Sequence, residues 1–213
     1  IIENDTVSNI SSAYTGASAA SLRGIYTAGS GLRSIRNNEI NNISTASTYN
    51  GATTASVVLG IAQGTASQGH TISGNTVHSL RSTTTGNIAA NVVGIFCNGT
   101  TSGTANAITG NSVHSLSLAS SSTSATTTIT GIMTNSGIAN VVNNMVRLGI
   151  DKDGNAITGN YLIRGIMHTP TTANSAYYYN TVYIGGSGVG SGSNKTYSFN
   201  RTAASGNIYI KNN

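Results

Sequence analysis

Acid–base chemistry in this chain can draw on only five carboxylates: Glu3, Asp5, Glu39, Asp151 and Asp153. Glycoside cleavage needs two of them facing each other across the scissile bond. Glu3, Asp5 and Glu39 form the one set whose spacing could bring carboxylates together. Glu3 also aligns with Arg36 in the next repeat, so a cross-strand ion pair is the structural use of the same group. The stretch DKDGN, Asp151 to Asn155, opens like a calcium loop. Its glycine comes too early and no Glu stands at the twelfth position, so it reads as a polar turn. His78 and His114 share one column and could hold a metal, but no third ligand joins them, and the column reads as a solvated face. Cys97 is the only cysteine and excludes an internal disulfide. It aligns with Thr27, Gln63, Thr134 and His168 and reads as incidental. Tyr177, Tyr178, Tyr179, Tyr183, Tyr197 and Tyr209 crowd the last repeat. They form either an aromatic patch for a sugar or partner, or the filling of a wider core. No cofactor or metal is expected.

What must position these residues is a repeat. The cassette φ-x-x-N-x-φ-x-x-φ, with φ apolar, recurs along the chain. Its central positions are Asp5, Asn38, Asn75, Asn111, Asn144, Asn180 and Asn213, at spacings of 33, 37 or 36 residues. A second cassette, an apolar residue followed after one position by Gly-Ile, alternates with the first. It places Gly24, Gly60, Gly94, Gly131 and Gly165 in register, and the sixth copy has drifted to Thr196–Ser198–Phe199. The apolar runs are too short for helices, and the repeats are rich in Gly, Thr, Ser, Asn and β-branched residues. The expected fold is all-β, a right-handed parallel β-helix of about six coils of roughly 35 residues, forming one domain over 1–213. Each Gly is expected at a bend between two inward residues. Each Asn is expected to turn a corner in the left-handed conformation and to bond up and down its column as a ladder.

Composition narrows the function. Charged residues make up 7% of the chain and 38% are apolar, which argues against disorder. The net charge of +5 comes from scattered Lys and Arg and a shortage of acids, so nucleic acid is not an expected partner. No run approaches a membrane span, and no signal peptide is visible.

These cassettes resemble the repeats of right-handed parallel β-helices of the pectate-lyase-like superfamily. The stretch NTVYIGGSGVGSGSNKTYSFNRTAASGNIYIKNN, Asn180 to Asn213, resembles repeats in large secreted surface proteins of Bacteroidetes that use type IX secretion. That resemblance implies an extracellular, adhesive or structural β-helix. It also implies O-glycosylation at sites similar to Asp5-Thr6-Val7, which makes Thr6 a candidate. Lyases of the superfamily use an acidic calcium cluster and a basic proton acceptor, and no coil here has such a cluster.

The expected function is therefore a non-enzymatic segment of a cell-surface fibre or stalk. The chain starts and stops in the same phase of the repeat. It is thus expected to be cut from a longer solenoid or to stack head to tail, with Lys211 meeting Glu3 and Asn213 meeting Asp5 of the next copy. The alternatives are a β-helix that binds or cleaves carbohydrate, in which case surface glycans are partners, and a phage tailspike rod.

Overall fold

The computed structural model describes residues 1–18, 21–29, 31–49, 57–171, 174–189, 194–202 and 205–213. Its strands run in layers. β1 (Ile2–Glu3), β2 (Thr6–Ser12) and β3 (Leu22–Thr27) form the first. β4 (Ser34–Arg36), β5 (Glu39–Thr45) and β6 (Val58–Ser67) form the second. β7 (Thr71–Ser73), β8 (Thr76–Ser82) and β9 (Asn91–Gly99) form the third. The fourth holds β10 (Asn106–Thr109), β11 (Ser112–His114), β12 (Ser117–Leu118) and β13 (Thr128–Ser136). The fifth holds β14 (Ala139–Val142), β15 (Met145–Leu148) and β16 (Leu162–His168). The sixth holds β17 (Ser175–Tyr178), β18 (Thr181–Ile184) and β19 (Thr196–Arg201), and β20 (Ile208–Lys211) opens a seventh.

Equivalent strands stack in parallel into three sheets, so the chain is a β-solenoid with about 36 residues per turn. The first sheet has seven strands, β1 to β20, while the second and third have six each along their main path. Three apolar columns meet inside. Ile2, Ile35, Ile72, Ile108, Val141, Tyr177 and Ile210 come from the first sheet. Val7, Ile40, Val77, Val113, Val146 and Val182 come from the second. Ile25, Ile61, Ile95, Ile132, Ile166 and Phe199 come from the third. The middle layers bury these side chains fully, whereas Ile2, Val7, Val182 and Phe199 at the two ends are only partly covered. A layer has no core of its own; its neighbours above and below supply it.

The corner between the first and second sheets differs from expectation. The ladder residues do not carry the left-handed backbone. The residue before each of them does: Asn4, Asn37, Gly74, Gly110, Asn143, Tyr179 and Asn212, with φ between 53° and 64°. All seven are exposed, and from Asn38 to Asn180 the residue that follows is buried. The reason is a division of labour. One residue reverses the chain with its side chain in water, and the next turns its amide inward to bond. A second left-handed residue, Asn9, Asn42, Ser79 or Ser115, lies inside or just after the second-sheet strand in layers one to four. It brings Val7 and Ile10, three apart, onto the same face, and likewise Ile40 and Ile43.

At the glycines the third-sheet ladder skips a position. Leu22 pairs with Val58 and Arg23 with Leu59, then Ile25 with Ile61, leaving Gly24 and Gly60 out of the ladder. None of the five has a left-handed φ. Close approach excludes a side chain there. A Cβ on Gly94 would collide with Val113 of the second sheet and lie 2.6 Å from the Gly131 carbonyl. Gly60 and Gly131 meet Val77 and Val146 in the same way.

Candidate functional site

The Asn column is the most regular polar structure in the molecule. Asn38 Nδ2 donates to Asn75 Oδ1 at 2.9 Å, Asn75 to Asn111 at 2.9 Å, Asn111 to Asn144 at 2.9 Å, Asn144 to Asn180 at 2.9 Å and Asn180 to Asn213 at 2.8 Å. Each Oδ1 also accepts the backbone N–H of the preceding layer, as Asn111 Oδ1 does from Asn75 at 3.0 Å. Each Nδ2 reaches back to a carbonyl of that layer, as Asn111 does to Ile72 at 2.9 Å. From Asn38 to Asn180, among the described residues, no buried side-chain polar atom of the ladder is left unpaired, as the interior requires. Asp5 joins only through its backbone N–H, donated to Asn38 Oδ1 at 3.0 Å.

Four of the five carboxylates, those of Glu3, Glu39, Asp151 and Asp153, are already engaged. Glu3 pairs with the Arg36 guanidinium across the first sheet. Glu39, on the outer face of the second, accepts from Asn41 at 3.0 Å and meets His78 Nε2 at 3.2 Å. No side-chain hydrogen bond or ion pair among the described residues joins Glu3, Asp5 and Glu39; Glu39 meets Asp5 through the backbone alone, its N–H donating to the Asp5 carbonyl at 2.9 Å. His78 and His114 stack face to face, ring centroids 4.8 Å apart, with Arg147 and Tyr183 continuing the column. Burial first, then His78 and Arg147, holds the His114 imidazole below its ordinary range. Asp151 caps its own turn, Oδ1 accepting from the backbone of Asp153 and Asn155 at 2.9 Å each, with Gly154 at φ 84°. Among the described residues no three His, Cys, Asp or Glu side chains gather in a metal-binding group. Thr6 is an exposed residue at the start of β2.

Two sequence readings are decided by burial. Of the two uses open to the tyrosines, Tyr177 takes the core, where it is fully buried. Its hydroxyl lies 2.7 Å from both Thr134 Oγ1 and His168 Nδ1, and burial pushes its pKa upward. The other five tyrosines are divided among the faces. Tyr178 and Tyr179 touch edge to face with ring centroids 6.5 Å apart; Tyr209 is exposed on the first sheet, Tyr183 on the second, and Tyr197 is half-buried on the third. The Cys97 column is not incidental, because Thr27, Gln63, Cys97, Thr134 and His168 all point inward and are buried. Burial pushes the Cys97 thiol up to about 12, so it is inert as a nucleophile. Burial, with Arg201 adding to it, brings the His168 imidazole down to about 4.

Sequence reasoning missed the outer face of the third sheet. There Leu59, Ala62, Val93, Phe96, Met133 and Met167 form a second apolar cluster, separate from the main core and almost fully buried. The signal was available. In VLGIA and VVGIF the outward positions beside the inward residues are also apolar, whereas the outward positions of the other two sheets are mostly polar. Over this face, beside the segment carrying Ala125 and Thr126, lies an open groove of about 390 Å³. Met133, Met167 and Val93 line it, with hydroxyls and amides at its rim and a single cation, Arg164. No family model, no curated protein and no solved structure matches the chain.

Proposed function

We propose that this chain is a non-enzymatic structural stretch of an extracellular rod, which carries load or spacing by pairing with further layers at both edges. One observation carries the reading. The same polar column runs from Asp5 to Asn213, and both ends present open parallel edges in interior register. Such edges are templates for pairing. The secreted, cell-surface placement and the pectate-lyase-like affinity rest on the likeness of the cassettes and of Asn180–Asn213 to such repeats.

The sheet topology revises how two copies would meet. β20 adds a seventh strand to the first sheet, and the other two sheets have six along their main path. A simple translation that sets Lys211 on Glu3 and Asn213 on Asp5 would leave the second and third sheets a full layer apart. Pairing stays continuous in all three sheets only if β20 takes the place of the next copy's β1. Asn213 then stands in for Asp5 and offers Asn38 of that copy the Nδ2 donor that Asp5 lacks. A chain without residues 1–5 should accordingly associate end to end at lower concentration than the intact chain in sedimentation velocity. Identical, concentration-independent monomers for both would overturn the proposal.

A further inference from the structure

The outer groove of the third sheet holds a charge without a counter-charge. Arg164 lies on β16 between Thr130 of β13 and Tyr197 of β19. Its Nε is buried and has no hydrogen-bond partner among the described residues. Burial holds its guanidinium below the usual arginine range, and none of the five carboxylates of the chain lines the groove. A guanidinium taken partly out of water is normally paired, because desolvating it alone is costly. Here the missing partner has room, since the groove falls in the size range of small-molecule sites.

The lining selects the chemistry of what would fill it. Val93, Thr130 and Arg164 stand on successive layers, so the apolar end and the cation are about 10 Å apart at the spacing of parallel strands. Met133 and Met167, three positions further along the strands of Thr130 and Arg164, line the groove beside this interval, and their polarizable side chains adapt to a ring or an alkyl chain. A sugar would leave many hydroxyls against this lining. A carboxylate on an apolar body of about that length satisfies both ends, with a two-pronged hydrogen bond to the guanidinium. We propose that the groove binds a small monocarboxylate of this kind, its carboxylate on Arg164 and its body over Met133, Met167 and Val93. This site is independent of rod assembly.

The chain has three methionines, which makes the test internal. Met133 and Met167 line the groove, and Met145 is exposed on the second sheet. With ¹³C-methyl methionine labelling, titration with 3-phenylpropionate should shift the Met133 and Met167 signals saturably and leave Met145 in place. 3-Phenylpropan-1-ol, lacking the charge, and glucuronate, lacking the apolar body, should each bind at least tenfold more weakly. Arg164→Gln should also lose at least tenfold, with an unchanged circular dichroism spectrum. No saturable shift in the intact chain, equal shifts at all three methionines, or an alcohol as tight as the acid would each overturn the proposal. So would glucuronate binding more tightly than 3-phenylpropionate. The ligand comparison needs no variant, so it stands even if Arg164→Gln does not fold.

Discussion

Replacing Asn111 by Leu removes a side chain of similar length together with all its polar atoms. The backbone N–H of Asn75 then loses its acceptor, and Asn75 Nδ2 keeps only the Ile35 carbonyl at 3.0 Å. The Ile72 carbonyl loses a donor, and Asn144 Oδ1 keeps only the Asn111 backbone N–H. Asn75 and Asn111 are both almost fully buried, so no water replaces these partners. An orphaned buried donor costs about 1–3 kcal/mol, and each lost neutral bond adds about 1. The apolar gain from Leu offsets a part, leaving a destabilisation of about 3 kcal/mol. For a chain of this length that lowers Tm by about 6–12 °C. His114→Ala, three residues on and on the surface, should cost no more than about 0.5 kcal/mol. Thermal and urea unfolding of the three proteins, followed by circular dichroism, gives the comparison. A loss below about 1 kcal/mol for Asn111→Leu, or one equal to that of His114→Ala, would refute the view that the ladder holds the layers together.

Three further perturbations separate the other forces. Gly94→Ala forces a methyl group against Val113 and the Gly131 carbonyl and should cost about 3 kcal/mol or more, while Gly110→Ala meets nothing within 4 Å and should cost only the left-handed strain of about 1–2 kcal/mol; urea midpoints distinguish them. Tyr179→Asn relieves a bulky residue at φ 57° and should raise Tm by a few degrees in a thermal melt, provided the edge contact with Tyr178 contributes less than that strain. His168 titrates near 4 when folded and near 6.5 when unfolded, so the unfolded chain takes up the proton first as pH falls. Its contribution is complete above about pH 6.5 and declines toward pH 4 by about 3 kcal/mol, so melts between pH 7.5 and 4.5 should show a slope that His168→Gln flattens.

What could be read from the sequence is what every layer repeats. Within each cassette the inward residues and the Asn keep a fixed spacing, and stacking in register turns that alignment directly into neighbourhood. The Glu3–Arg36 pair and the His78–His114 contact follow from the same alignment. The left-handed position was misplaced by one residue because Asn-Asn and Gly-Asn both supply two tolerant residues at the corner. Only burial tells which of them turns the chain and which one bonds. For Tyr177 the sequence left patch and core filling open, because an aromatic residue in an Ile column fits either; Thr134 and His168, as polar partners of its hydroxyl, decide for the core. The Arg164 groove could not be read because the segment carrying Ala125 and Thr126 forms one of its sides, and the variable lengths and Ser/Thr-rich composition of the connectors carry no register.

The rod account rests on open edges that accept further layers. Negative-stain electron microscopy of the chain lacking residues 1–5, at rising concentration, tests it most directly. Rods of constant width, lengthening in steps of about 29 Å, one chain of six layers at the parallel strand spacing, are the predicted result. Particles of a single length at every concentration, or aggregates without a constant width, would contradict it.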